Sequence, residues 1–400
     1  MRTNLHNILH KAILPSGFGR LWLSVLIFSI CGWHGAVAQL PAEPVPNVVS
    51  LPSQLPNGWL FAHDVAFFNL SSGKIMLIDP ASKTRNVRGM IGAAQFASFT
   101  QSRNGDELYV AESFFSRGTR GEQTDVLSIY NAHTLHHEGE VILPAGKRFQ
   151  VVTHPSALQT THDDKFILVF NFTPASSVTI IDRKKRKVVN EIDVAGCMLV
   201  YPQGRRGFAT LCNDGSLLSI KLDNKGRQSK LVRSRMFNDI DDNALFMKPA
   251  WIGKTAYLAS YGGSIQALDL RSAKAKIPPA WDIPTAHAKA LPNARPSGWQ
   301  ILAADRQGRL YVLMRANAGV GDHKWGGQAI YVLNAKTQRI VNILPLQTDG
   351  FSIQITNGKQ QLLAVTNASM EIDIYDLKGR HQRTIGGWGP ATPYTLYGVQ

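Results

Sequence analysis

The stretch Glu107–Asn131, ELYVAESFFSRGTRGEQTDVLSIYN, contains the pattern that decides the fold. Its two apolar runs, Glu107–Ala111 and Val126–Tyr130, predict β-strands. The segment between them, Glu112–Asp125, is rich in Gly, Ser and Arg and is too long for a tight hairpin turn, so we expect a loop. Asn131 ends the second strand, where its side chain can accept a hydrogen bond from the backbone two residues on and cap the turn.

The same unit recurs along the chain from Gly58 onward, and no helical pattern interrupts it. Seven strands end in an Asp or Asn marker, at spacings of 41 to 65 residues: Asp79, Asn131, Asp182, Asp223, Asp269, Asn334 and Asp376. Copies at this period predict an all-β fold, a seven-bladed β-propeller over residues 58–400 with four strands per blade. The first unit lacks an innermost strand, and the C-terminal run Pro393–Val399 is expected to supply it and close the ring.

An export signal is predicted at residues 1–38. A basic start precedes the apolar run Leu21–Cys31, and Ala36–Ala38 places small residues at the cleavage positions. The apolar run is shorter than a membrane span of roughly 20 residues. The chain from Gln39 is therefore expected to be a periplasmic protein with no membrane span after signal cleavage.

A proline-rich arm is predicted at residues 39–57. The segment contains five prolines: Pro41, Pro44, Pro46, Pro52 and Pro56. Such a density favours an extended chain over a packed helix or strand. An arm of this length can reach a neighbouring subunit.

The chain is strongly basic, with 43 Lys and Arg against 28 Asp and Glu and a formal net charge of +15. The predicted signal removes three basic and no acidic residues, which leaves +12. A basic surface predicts an acidic partner. Export makes nucleic acid a poor candidate, so we expect an acidic protein.

Cys197 and Cys212 are the two cysteines that remain after the signal. In an oxidising compartment they predict one disulfide. They lie in two strand-like runs joined by a short turn, and their sulfurs can meet if these runs pair antiparallel. Closing a loop of this size stabilises the fold by about 3 kcal/mol in the chain-entropy model.

No motif for a nucleophile, a metal site or a nucleotide site occurs, so no catalytic residue and no metal ligand is predicted in this chain. Gly319–Gly326 is glycine-rich but lacks the Gly-Lys-Ser/Thr sequence that ends a phosphate-binding loop. Asp239–Asn243 imitates the start of a calcium loop, yet Ala244 and Ala250 stand where such a loop needs Gly and Glu.

The loop Glu112–Asp125 has the composition of a partner interface. It carries Phe114, Phe115, Arg117 and Arg120, which suit docking of a partner better than bond making. The alternative is a surface loop braced by internal Arg–Glu or Arg–Asp pairs.

Two other segments are also interface candidates. Trp299 lies in Arg295–Gln300, which follows the Pro/Ala-rich insertion Lys276–Asn293; this insertion, the longest gap between units, is expected to project from one face of the ring. The basic turn Arg183–Lys187 is either a solvated hairpin tip or an electrostatic dock for an acidic partner.

The chain resembles the heavy subunit of the tryptophan tryptophylquinone amine dehydrogenases, the methylamine and aromatic amine dehydrogenases. The resemblance covers essentially the whole chain after the signal. Its clearest passages are Phe115–Gly121, Cys197 with Cys212 and Asn213–Ser216, Arg295–Gln300, and His323-Lys324.

The resemblance implies an α2β2 assembly with a small light chain that carries the tryptophan tryptophylquinone and the catalytic base. It implies oxidation of a primary amine with water to an aldehyde and ammonia, with electrons passed to a blue copper protein of the amicyanin or azurin type. This chain would then scaffold the light chain, bind no cofactor itself, and line the substrate channel.

The family places a channel phenylalanine in the segment that corresponds to Met90–Phe99. Equal spacing puts this position on Gln95, with Phe96 adjacent and Phe99 as a second aromatic candidate. The alternative is that both aromatic side chains belong to the core of the second blade.

Two functions from other classes stay open. A self-sufficient exported propeller enzyme, such as a lactonase-like hydrolase, would need a metal or an acid/base cluster at the ring axis. A non-enzymatic propeller that only binds partners would need neither.

Overall fold

The computed structural model describes residues 50–64, 72–94, 96–149, 152–285, 291–388 and 393–400. The predicted signal, most of the predicted arm, and Gln95 lie outside these residues. In the described part of the chain, no helix is long and apolar enough to cross a membrane.

The described residues form β-strands and two single-turn 3-10 helices, Pro155–Ala157 and Asp322–Lys324. The first half of the chain contains β1 Leu60–Asp64, β2 Gly73–Ile78, β3 Val87–Ala93, β4 Ser98–Gln101, β5 Glu107–Arg117, β6 Arg120–Asn131, β7 His137–Ile142, β8 Leu158–Thr160, β9 Phe166–Asn171, β10 Ser177–Asp182, β11 Lys187–Asp193, β12 Cys197–Pro202, β13 Gly207–Cys212, β14 Leu217–Leu222 and β15 Gln228–Arg233. The second half contains β16 Ala250–Ile252, β17 Thr255–Ala259, β18 Ser264–Asp269, β19 Trp281–Asp282, β20 Arg295–Pro296, β21 Leu302–Ala304, β22 Arg309–Arg315, β23 Gly327–Asn334, β24 Arg339–Ile355, β25 Leu362–Asn367, β26 Ile372–Asp376, β27 His381–Ile385 and β28 Pro393–Gly398.

These strands build an all-β propeller from antiparallel sheets. Five separate sheets have four strands each, in the orders β28-β1-β2-β3, β4-β5-β6-β7, β8-β9-β10-β11, β12-β13-β14-β15 and β16-β17-β18-β19. A sixth sheet has eight strands, from β20 and β21 to β27.

The prediction of seven separate blades is wrong, because five separate blades are present and the last two predicted blades share one sheet. The 17-residue strand β24 pairs with β23 through its first half and with β25 through its second half. The register shifts where Gly327 pairs with Gly350 and Ala329 with Pro345, so the intervening residues of β24 form a bulge that bends the strand. No turn or loop separates the two halves of β24.

The predicted closure of the ring by the C-terminal run is confirmed. β28 pairs antiparallel with β1, with Leu60 opposite Gly398 and Ala62 opposite Leu396. The innermost strand of the first sheet is therefore the last strand of the chain, which removes the free edges that an open ring would have.

The predicted role of the marker residues is confirmed in six of the seven described turns. Their side-chain oxygen accepts a hydrogen bond from the backbone N–H two residues on at 2.7 to 3.1 Å; the markers are Asp79, Asn131, Asp223, Asp269, Asn334 and Asp376. The seventh, Asp182, caps its turn through the N–H of Lys185.

The ring has two faces that differ in the connections they carry. On the turn face, the innermost strand of every sheet except the first connects to the second strand, and each third strand connects to the fourth. On the hairpin face, the second strand connects to the third and each sheet connects to the next. The core lies between neighbouring sheets, so central strands such as β9 and β13 are buried along their whole length.

The predicted loop Glu112–Asp125 is a hairpin, which corrects the prediction. β5 and β6 stay paired to Arg117 opposite Arg120, and Gly118 makes the turn with a left-handed φ of 72°. Glycine suits this backbone conformation, so the two strands stay paired up to a short turn.

The predicted disulfide between Cys197 and Cys212 is present. The two residues lie directly opposite each other where β12 pairs with β13. The bond therefore joins the innermost strand of the fourth sheet to its neighbour.

Candidate functional site

The candidate site is the connection between β3 and β4, on the hairpin face. Phe96 lies in this connection with a left-handed φ of 55°, and its side chain is partly buried. A bulky residue adopts this backbone conformation rarely, so its surroundings must hold it there. Gln95, the neighbouring channel candidate, lies outside the described residues.

Two buried charged side chains hold this connection from both sides. Glu112 accepts a hydrogen bond from the backbone N–H of Ala94 at 2.7 Å. The guanidinium of Arg148 donates to the backbone carbonyls of Phe96 at 3.0 Å and Phe149 at 3.1 Å. The backbone on either side of position 95 is therefore fixed by side chains from β5 and from the segment that follows β7.

A second layer of hydrogen bonds orients Arg148. Its Nε donates to the Ser113 hydroxyl at 3.0 Å, and that hydroxyl donates to Asp125 at 2.5 Å. Asp125 also accepts from the backbone N–H of Gly146 at 2.8 Å. Ser113 and Asp125 lie opposite each other in β5 and β6, where the hairpin begins. Their hydrogen bonds therefore link the hairpin to the connection that carries Phe96.

The electrostatics of this network follow from burial. Burial lowers the pKa of Arg148 to about 10, while the charges of Asp125 and Glu112 oppose that shift. Burial also raises the pKa of the Glu112 carboxyl, although hydrogen bonds from Ser128 and Ala94 act in the other direction. Arg148 thus stays charged at neutral pH, and its carboxylate neighbours compensate for part of the cost of its burial.

Phe99 lies in the hydrophobic core. It is fully buried, and its ring contacts those of Phe61 and Tyr397 at centroid distances of 5.1 and 5.0 Å. The side chain packs between the first and second sheets, and Phe96 is therefore the described aromatic candidate that reaches the hairpin face.

The predicted interface residues of the hairpin lie at its outer end. Phe114 is 49% exposed, Phe115 is partly buried, and Arg117 and Arg120 are exposed. Within the described residues neither guanidinium forms an ion pair, so the predicted alternative of a loop braced by internal Arg pairs does not describe this hairpin.

Trp299 lies in a cluster that the sequence analysis did not identify as a whole. The ammonium of Lys248 lies 3.5 Å from the centroid of the Trp299 ring, and the ring of Tyr394 is 5.2 Å away. Burial lowers the pKa of Lys248 to about 7. Burial, together with the charge of Lys248, lowers the pKa of His154, whose ring also faces Trp299.

A cavity of about 300 Å³ lies among the innermost strands, and Lys248, Gln300 and Tyr397 line it. The amide of Gln300 hydrogen-bonds the backbone of Leu396 in both directions, which fixes it to β28. Among the described residues, no group of three or more His, Cys, Asp or Glu side chains is arranged to hold a metal ion.

Sequence reasoning missed Glu112 and Arg148, which hold the site, and Lys248, which packs on Trp299. Glu112 begins the stretch chosen as an interface candidate, but nothing in the sequence indicates its bond to Ala94. The available signal was a charged residue directly after an apolar strand run. Such a residue is exposed in most strands, so the pattern carries no information about a buried brace.

In comparisons with known proteins, the family model and the relatives found carry the same description. The family model described as methylamine dehydrogenase heavy chain matches residues 59–393. The methylamine dehydrogenase heavy chain of Methylorubrum extorquens is 27% identical over 345 residues, covering 85% of this chain and 83% of that protein. The one from Paracoccus versutus is 27% identical over 313 residues, covering 77% and 72%.

Solved structures resemble the fold. A putative 6-phosphogluconolactonase from Bacteroides fragilis superposes with a TM-score of 0.55 at 14% identity, covering 89% of this chain and 99% of that one. At this identity the likeness concerns the propeller architecture alone.

Proposed function

Because the chain belongs to the methylamine dehydrogenase heavy-chain family, we propose that it is the heavy subunit of an exported quinoprotein amine dehydrogenase in the periplasm. The complex would oxidise a primary amine with water to an aldehyde and ammonia and pass electrons to a blue copper protein. The light chain would carry the tryptophan tryptophylquinone, which supplies the redox chemistry, in an α2β2 assembly.

The observation that carries this proposal is the braced connection at Ala94–Phe96. A channel wall must keep its shape while substrates pass, and buried charged groups fix this backbone on both sides. The ring of Phe96 then stands on the hairpin face, where a bound light chain would complete the channel. This chain supplies position and shape, and it supplies no reacting group.

The hairpin face also fits a protein partner. The exposed large hydrophobic side chains that lie in described loops or at the hairpin tip are all on this face: Phe114, Phe172, Met236, Ile240, Val320, Trp325 and Met370. Val320 is 95% and Trp325 61% exposed. Exposed apolar side chains grouped on one face mark a protein interface. We therefore assign the light chain to the hairpin face.

The eight-stranded sheet can be divided into two sets of four strands. We infer that the eight-stranded sheet acts as the sixth and seventh blades, joined by the bulge in β24. The pairing supports it, because β21, β22, β23 and the first half of β24 form four strands, and the rest of β24 with β25 to β27 forms four more.

The decisive experiment is co-purification with the light chain. We expect the chain alone to be inactive toward amines with an artificial electron acceptor, and the complex with a light chain encoded nearby to oxidise them. Amine oxidation or lactone hydrolysis by the purified chain alone would contradict the subunit assignment. Failure to bind any such light chain would instead favour a propeller that only binds other partners.

A further inference from the structure

The turn face carries a ring of exposed basic side chains that the proposed function does not use. In six of the seven turns between third and fourth strands, at least one exposed Lys or Arg forms no ion pair within the described residues. One from each turn is Lys83, Lys184, Lys225, Lys274, Lys336 and Lys378. The seventh turn, between β6 and β7, carries His133 and His136 instead.

Other basic residues of this face have structural roles that these six lack. Arg183 pairs with Glu107 at 2.8 Å, and Arg206 pairs with Asp163 at 2.6 Å. These partly buried guanidinium groups link neighbouring sheets. Among the residues that the structure describes, the exposed lysines have no such partner, so their charge faces solvent.

The turns lie on one continuous surface because neighbouring turns contact each other. The backbone N–H of Gly204 donates to the carbonyl of Leu270 at 2.8 Å, which joins the fourth sheet to the fifth. Arg383 donates to the carbonyl of Pro80 at 2.7 Å, which joins the last sheet to the first. The unpaired cations are therefore distributed around a whole face of the ring.

The same turns expose no large hydrophobic side chain within the described residues, in contrast to the hairpin face. A surface of this kind binds by charge without inserting apolar groups. Its six basic sectors surround the axis, whereas a small acidic protein would cover one or two of them. A flat, extended array of negative charge reaches all of them at once.

We propose that the turn face binds the surface of an anionic phospholipid bilayer. Attraction between the unpaired lysines and lipid phosphates would hold the ring parallel to the membrane, with the hairpin face directed away from it. Because the contact is electrostatic and exposed, salt screens it and binding stays reversible.

The test uses the purified exported protein and vesicles of phosphatidylcholine with or without 30% phosphatidylglycerol. We expect sedimentation with the anionic vesicles at about 50 mM salt, none with the neutral vesicles, and release at about 500 mM salt. Two pairs of substitutions probe separate sheets of the ring, Lys184→Gln with Lys185→Gln, and Lys336→Gln with Arg339→Gln.

Each pair is expected to weaken vesicle binding at least fivefold, the effect of about one basic contact with an anionic surface. The matched control, Arg235→Gln with Lys324→Gln, removes two exposed unpaired cations from the hairpin face and should change binding less than twofold. Equal binding to neutral vesicles would overturn the proposal. An equal loss in the control would show attraction to net charge alone, and a loss confined to one pair would indicate a local site for an acidic protein; both results would also overturn it.

Discussion

Arg148 connects the candidate channel residue to the hairpin, so its loss should be costly. Arg148→Met removes the donor to the Phe96 and Phe149 carbonyls and leaves Asp125 without a nearby positive charge. We expect the free energy of unfolding to fall by about 3 kcal/mol, as for one partner of a buried ionic group. Urea unfolding of the variant measures this.

A double substitution separates the charge from the packing. In Arg148→Met with Asp125→Asn, the unpaired carboxylate is also gone, so the combined loss should be smaller than the sum of the two single losses. Strictly additive losses would contradict coupling through this network.

Phe96 is the residue for which substrate preference can be tested directly. Phe96→Ala removes the ring but keeps a Cβ, so the constraint at φ 55° is unchanged. We expect the assembled enzyme to change its ratio of kcat/KM between a small and a bulky primary amine by about tenfold. Met90→Ala, on the exposed side of nearby β3, is the matched control. An unchanged ratio in Phe96→Ala would remove this side chain from the channel.

Lys248 makes the stability of the protein depend on pH in a defined direction. Its pKa is about 7 when folded, against 10.5 when unfolded, because burial disfavours the ammonium. Between these values the unfolded chain binds more protons, so this group makes stability rise with pH from about 7 to 10.5. Lys248→Met lacks this contribution, and its profile should be flatter across the same range. Unfolding midpoints at pH 7 and pH 10 measure the difference, and parallel profiles for the two proteins would contradict it.

At the scale of elements, β28 is the strand on which the closed ring depends. Deleting residues 393–400 removes the innermost strand of the first sheet and exposes the edge of β1. It also removes Leu396, whose backbone is hydrogen-bonded to the side chain of Gln300. We expect the truncated chain to lose cooperative thermal unfolding by circular dichroism. A folded product with near-native stability would show that the first sheet holds without this strand.

The strands and turns that could be predicted are those specified by residues close together in the sequence. The Asp and Asn markers cap turns within three residues of themselves, and alternating apolar strands lie between them, so the repeats appear directly in the sequence. The β5–β6 hairpin differs from the predicted loop because the facing end of β6 is polar and gives no alternating apolar pattern, and because pairing across Arg117 and Arg120 depends on register. The shared sheet was missed because the bulge in β24 replaces a connection that sequence spacing implies.

The candidate site was predictable only in part. The position of Phe96 follows from the family resemblance, whereas its left-handed backbone depends on contacts from Glu112 and Arg148, 16 and 52 residues further along the chain. Phe99, which is fully buried, shows the limit of spacing arguments. Burial depends on how neighbouring sheets stack, and no local pattern contains that.

For the whole molecule, the two faces of the ring differ in which side chains they expose. Exposed hydrophobic side chains gather on the hairpin face, and unpaired lysines gather on the turn face. A subunit with this division can bind a protein partner on one side and a charged surface on the other without competition. The two interactions should therefore be separable by substitution.

The hairpin face supplies the prediction that distinguishes them. Phe172→Asp with Trp325→Asp places two charges among exposed apolar side chains, and a charge without a partner in an interface core opposes association. We expect at least a hundredfold weaker binding of the light chain, with only a small decrease in the melting temperature of the free chain, because Trp325 is largely exposed and Phe172 loses one ring contact, with Phe149. Val341→Asp, on the outer strand β24, is the matched control and should leave assembly unchanged. Binding of anionic vesicles by the double variant should fall less than twofold, since its turn face is intact. If light-chain affinity survives the two charges, the light chain docks elsewhere on the ring.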